Sequence, residues 1–161
     1  MSVLHLKIPL SDDAIAYLNE IIADDEDSTT PGHWLFTTAI KPGVKQTAQT
    51  RNLLRARGSL TLPNGKKLVP ADLDIGPLES FPEGTVDIII SDRVKGWIEE
   101  AAGYVSAANR LQDAKLAWTT PQDWVREICL AAIATSTADI DATEFDAEEK
   151  ELYPPAKKDA A

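Results

Sequence analysis

At 161 residues, 43 % hydrophobic and with a formal net charge of −10, the chain is long enough to bury one core and too short for two self-sufficient ones. The strong negative charge argues against general affinity for nucleic acid or anionic membranes, and the single cysteine, Cys129, excludes an intrachain disulfide and a thiolate zinc site. The apolar runs fall far short of the ~20 residues that cross a bilayer, and no basic region followed by a long apolar run opens the sequence, so synthesis in a reducing cytoplasm is the expectation.

Residues 3–8 alternate, with Leu4, Leu6 and Ile8 on one face and His5 and Lys7 on the other, which predicts a half-buried strand ended by Pro9. Ser11 is placed to cap a helix whose first turn holds Asp12 and Asp13, where the helix dipole favours negative charge, and whose apolar stripe is Ile15, Leu18, Ile21 and Ile22. After a polar, acidic loop, residues 33–40 are aromatic and β-branched and predict a second strand, broken by Lys41-Pro42-Gly43. Residues 44–57 permit a helix stopped by Gly58, although their apolar content is thin enough for a long loop. Pro63-Asn64-Gly65 between short apolar runs predicts a hairpin.

Residues 70–84, with Pro70, Gly76, Pro77, Pro82 and Gly84, form an irregular connection of the length that often carries binding. The dense apolar run 86–90 predicts a central strand. Ser91 caps a long helix, expected to run to about Trp118, on which Gly96 and Gly103 allow close approach of a neighbour. Thr119-Thr120-Pro121 starts a last helix with Trp124, Val125, Ile128, Cys129, Ala132 and Ile133 as its stripe. The expected fold is therefore α+β: a small, mostly antiparallel sheet with a β-hairpin, packed by an N-terminal helix and two C-terminal helices. Residues 1–137 make a single domain, and 138–161 an extended acidic tail whose composition cannot bury a core of its own.

No catalytic constellation accompanies these elements. His5 and His33 lack metal-ligand spacing, and no phosphate-cradling glycine motif or nucleophile elbow occurs. The acids at Asp139, Asp141, Glu144 and Asp146 lack the central glycine of a calcium loop, since no glycine follows Gly103. A deep pocket holding Asp72 or Asp74 beside His33 would be needed to argue for an enzyme hidden in the 70–84 loop. The expectation is thus no catalytic residue, cofactor or metal.

The distribution of charge is the strongest signal. No acidic residue stands between Asp27 and Asp72, where Lys41, Lys45, Arg51, Arg55, Arg57, Lys66 and Lys67 are found. The C-terminal stretch gathers Asp139, Asp141, Glu144, Asp146, Glu148, Glu149 and Glu151, with Ile140, Phe145 and Leu152 spaced among them as apolar anchors. A solvated helix face is the plain reading of the basic segment. The functional reading is charge-complementary contact between basic segment and acidic tail of neighbouring copies. That points to a non-enzymatic, self-associating structural or assembly protein, with itself or other assembly proteins as partners. By analogy of architecture the setting is a bacteriophage virion, in capsid or tail. The runner-up is an acidic inhibitor of a nucleic-acid-binding enzyme, of anti-restriction or anti-CRISPR type, which a compact basic block counts against. Trp118, between the last two helices, is a further candidate interface anchor, with core packing as the plainer reading.

Overall fold

The computed structural model describes residues 3–24, 30–112 and 120–135. Strand β1 (Val3–Ile8) pairs antiparallel with β4 (Val86–Ser91), in the register Val3↔Ser91 to Ile8↔Val86. The alternation read from the sequence holds: Leu6 and Ile8 are buried, while His5 and Lys7 face solvent and His5 Nδ1 lies 2.8 Å from Asp87 Oδ2 across the strands. Helix α1 (Asp12–Asp24) starts as expected, with the Ala14 N–H donating to Ser11 Oγ at 3.2 Å.

Residues 33–40 are helical, not a strand. Helix α2 (Pro31–Leu35) is followed by a π-helical turn (Phe36–Ile40), and the chain then runs straight into α3 (Lys41–Arg57). Thr30 caps the start, its Oγ1 accepting the His33 N–H at 3.0 Å, with Pro31 in the first turn. The widening has a physical cause at Pro42, whose ring lacks an N–H and clashes with the carbonyl four residues back. The turn opens there, and the Lys41 N–H reaches five residues back to the Phe36 carbonyl. Lys41-Pro42-Gly43 therefore reshapes the helix without breaking it. The strand expectation failed because this segment is buried nearly all round and carries no period to read.

Helix α3 ends where the sequence placed its stop, at Gly58 in the left-handed region (φ 80°). Strands β2 (Leu60–Thr61) and β3 (Lys67–Leu68) form the hairpin around Pro63-Asn64-Gly65. A short 3-10 turn (Pro70–Leu73) and irregular chain lead to β4. Among the described residues β4 pairs with β1 alone, so it is not the central strand of a wider sheet. Its apolar run reflects burial by helices instead: Gly32 of α2 sits so close that a Cβ there would stand 2.0 Å from the Asp87 carbonyl oxygen.

Helix α4 (Asp92–Leu111) is capped by Ser91, whose Oγ accepts the Val94 N–H at 3.2 Å. The described helix ends at Leu111, and Trp118 lies outside the described residues. Gly103 does admit a neighbour, since a Cβ there would stand 1.7 Å from the Leu73 carbonyl oxygen, whereas Gly96 faces open space. Helix α5 (Pro121–Thr135) buries Trp124, Val125, Cys129 and Ala132. The fold is α+β, with a main core of β1, β4, α2, the π turn and α5, including Leu6, Ile88, Phe36 and Trp124. A second, smaller core joins Leu54, Leu62, Leu68 and Ala107 beneath the hairpin. No described helix is long and apolar enough to cross a membrane.

Candidate charged interface

The smaller core builds the charged end of the molecule. Leu54 on α3 and Ala107 on α4 hold the two helices together, and Leu62 and Leu68 lay the hairpin over them. Asn64 fixes the hairpin tip, its Nδ2 donating to the Leu111 carbonyl at 2.8 Å while its Oδ1 accepts the Lys66 N–H at 3.1 Å. The C-terminal ends of α3 and α4 are thereby bridged by the hairpin. Exposed Arg57, Lys66, Lys67 and Arg110 stand at this end. Some of their field compensates the carbonyl ends of the two helices, and the rest faces solvent.

The basic residues of the sequence divide into three groups here. Lys41 and Arg51 are buried, at 1 % and 3 % exposure, and do not belong to a surface patch. Their burial follows from the helix periodicity that places Val44 and Leu54 inward on the same element. Arg51 is fully engaged: Nε donates to Thr47 Oγ1 at 2.9 Å, Nη1 to Glu100 Oε1 at 2.6 Å and Nη2 to the Val44 carbonyl at 2.8 Å. Arg55, one turn on, reaches the other oxygen of Glu100 and the side-chain oxygen of Asn52. Lys45 is half-buried, and Arg57, Lys66 and Lys67 are exposed. Two arginines of the basic segment thus share an acid within the chain, on α4. The acidic candidates Asp139, Asp141, Glu144, Asp146, Glu148, Glu149 and Glu151, with anchors Ile140, Phe145 and Leu152, lie outside the described residues.

Beside the Arg55–Glu100 pair is an open cavity of about 530 Å³ between α3, α4 and residues 70–77. Leu54, Leu73, Pro70 and Pro77 supply its apolar lining, and Arg55, Lys95, Asp74, Glu99 and Glu100 its polar one. Glu99 Oε2 accepts both the Leu78 N–H at 2.6 Å and Lys95 Nζ at 2.7 Å. The irregular loop singled out in the sequence is therefore one wall of a recess beside the basic segment, and Glu100, Glu99 and Lys95 on its lining, with Arg110 near the end of α4, are the contributors that the sequence did not reveal. Only the Lys95/Glu99 spacing of four was legible as a helix-surface pair.

The acids weighed as catalytic have local structural duties. Asp72 Oδ2 accepts the Val69 N–H at 2.9 Å, and Asp74 Oδ1 accepts the Gly76 N–H at 3.1 Å. His33 is buried in α2, and the residues lining the cavity do not include it. Of the three, Asp74 alone lines this cavity. Cys129 is buried in the main core, and burial pushes its thiol up from 9.0 to about 12, which keeps it protonated and unreactive at neutral pH. Compared with models of known protein families, with curated proteins and with solved structures, the chain finds no match.

Proposed function

We propose that this protein is a non-enzymatic assembly subunit that associates with copies of itself, its basic end receiving the acidic C-terminal stretch of a neighbour. The observation that carries this reading is the cluster of exposed Arg57, Lys66, Lys67 and Arg110 where the hairpin bridges α3 and α4. The same chain supplies Glu148, Glu149 and Glu151 in its C-terminal stretch, outside the described residues. A head-to-tail contact of this kind is heterologous, so repetition closes a ring or extends a filament. Virion assembly in a bacteriophage is the setting proposed for it, on analogy of architecture alone. Each exposed ion pair contributes only ~0.2–1 kcal/mol, so several must act together with apolar anchors.

The test is solution mass by light scattering, at low and high salt, for the full chain and for a version ending at Thr137. The truncation removes none of the described residues. A salt-sensitive oligomer that becomes a monomer on truncation supports the reading, because contacts between exposed charges are screened within about 10 Å at ~0.1 M salt. A full chain that stays monomeric at high concentration and low salt sinks it.

A further inference from the structure

We infer that the cavity between α3, α4 and residues 70–77 binds an organic cation, a guanidinium or ammonium group carried on an aliphatic stem. The first observation is Gly96. It lies inside α4, where glycine is the least stable choice short of proline, and it does not adopt the positive φ that would call for glycine. A Cβ there would meet nothing within 4 Å. Gly103, about two turns further along the same face, is the contrast, since there the Leu73 carbonyl presses so close that no side chain fits. The 70–77 segment thus touches α4 at Gly103 and stands away from it at Gly96, and the gap is the cavity, with Leu73, Gly76 and Gly96 on its lining. A helix position left without a side chain, where neither packing nor backbone geometry requires it, breaks a local rule in the way functional sites do.

The class of ligand follows from the carboxylates around that gap. Glu99 and Glu100 follow Gly96 at spacings of three and four, so the open position lies on their face of α4. Glu100 is satisfied, with Arg51 on one oxygen and Arg55 on the other. Glu99 accepts Lys95 Nζ and the Leu78 N–H through Oε2 alone, and Asp74 accepts the Gly76 N–H through Oδ1. Among the described residues, no partner engages Glu99 Oε1 or Asp74 Oδ2. These two carboxylates against the one ammonium of Lys95 leave a negative charge uncompensated on the lining. The Glu99 side chain is only 26 % exposed, so its charge is screened less than one in open water. Leu54, Pro70, Leu73 and Pro77 supply an apolar wall against which an aliphatic stem packs while its charged head meets the acids. The volume of about 530 Å³ lies in the range of small-ligand sites. An anion would face three carboxylates there, and a wholly apolar ligand would strip water from Glu99 and Asp74 and replace it with nothing.

The experiment titrates butylguanidinium into the full chain and follows backbone amide shifts by NMR, with butylurea as the uncharged counterpart. The expected result is a saturable set of shifts confined to residues 73–78 and 95–100, with butylurea binding roughly tenfold more weakly, as loss of a charged hydrogen bond would give. The Asp74→Asn, Glu99→Gln pair should weaken butylguanidinium by a similar factor. Gly96→Leu should abolish binding while raising the thermal midpoint, because leucine favours a helix over glycine, so that lost binding is not lost folding. A blocked arginine tripeptide identifies the source of the cation: tighter binding than butylguanidinium assigns it to a partner's side chain, and weaker binding to a free small molecule. The inference is overturned by an absence of saturable shifts, or by shifts spread equally over exposed acids such as Asp12 and Asp13. Equal binding of butylurea, or undiminished binding to a folded Gly96→Leu variant, overturns it as well.

Discussion

The molecule has two ends held together in different ways. Around β1, β4, α2 and α5 the packing is apolar and backbone meets backbone: Phe36, Leu6, Ile88 and Ile90 are fully buried, and Gly32 lets α2 touch the β4 main chain. Around α3, α4 and the hairpin, a core whose buried members among the described residues are Leu54, Leu62, Leu68 and Ala107 is supplemented by ion pairs and an open cavity. The first arrangement leaves little polar chemistry to offer a partner. The second keeps cations near the surface because it stabilises itself with them, so the weaker core and the candidate interface are the same region.

The largest effect should come from the apolar end. Phe36→Ala is expected to cost ~3–5 kcal/mol, as truncation of a buried aromatic leaves a cavity that rigid neighbours cannot fill, and to lower the global denaturation midpoint with one cooperative transition. Leu68→Ala is expected to cost less, ~2–3 kcal/mol, and to act locally. Hydrogen exchange would check this, with amides of residues 60–68 exchanging faster than those of 88–90 while the rest of the protein is unchanged. Equal protection of both regions would remove the distinction between the two ends.

Arg51 and Arg55 sharpen the comparison, since they share Glu100 at different depths. Arg51→Met is expected to cost ~2–3 kcal/mol in chemical denaturation, because the Val44 carbonyl and Thr47 lose a buried donor and Glu100 retains only its outer partner. Arg55→Ala is expected to cost under ~1 kcal/mol, since half of its side chain is already in water. If the outer arginine proved the more costly, the ranking of the two by depth would fail.

Cys129 gives the smallest effect at neutral pH. Its thiol is raised from 9.0 to about 12 by burial, so the folded state holds the proton more tightly than the unfolded one. That contribution is complete below about pH 9 and is lost as pH rises toward 12. At pH 8 a thiol-specific chromogenic reagent should react with the native protein only as fast as it unfolds, and at full speed in denaturant. Rapid reaction in the native state would contradict the burial of α5 in the main core.

Legibility in the sequence followed the range of the signals. The β1 alternation, the Ser11, Ser91 and Gly58 caps, the Asn64-Gly65 corner and the stripe of α5 are local, and each appears where its residues placed it. Residues 33–40 misled because burial on all sides erases periodicity and leaves composition, which favours strands; Thr30-Pro31 was the helix signal present. At the charged end the cations were legible, but their depth and their partner were not. Glu100 is 49 residues from Arg51 and 45 from Arg55, and the packing of α3 on α4 brings them together.

The central claim is that the basic end of one copy holds the acidic segment of another, and exchanging the charges tests it most directly. One chain would carry Arg57→Glu, Lys66→Glu and Lys67→Glu, and a second Glu148→Lys, Glu149→Lys and Glu151→Lys. Each alone then opposes like charge to like, and light scattering at low salt should find a monomer in both cases. Mixed in equal amounts, the two offer each other complementary ends, and a mass above that of either alone is expected, dissociating in high salt. Persistent self-association of either reversed chain, or a mixture that stays monomeric while the unaltered protein assembles, would contradict the claim.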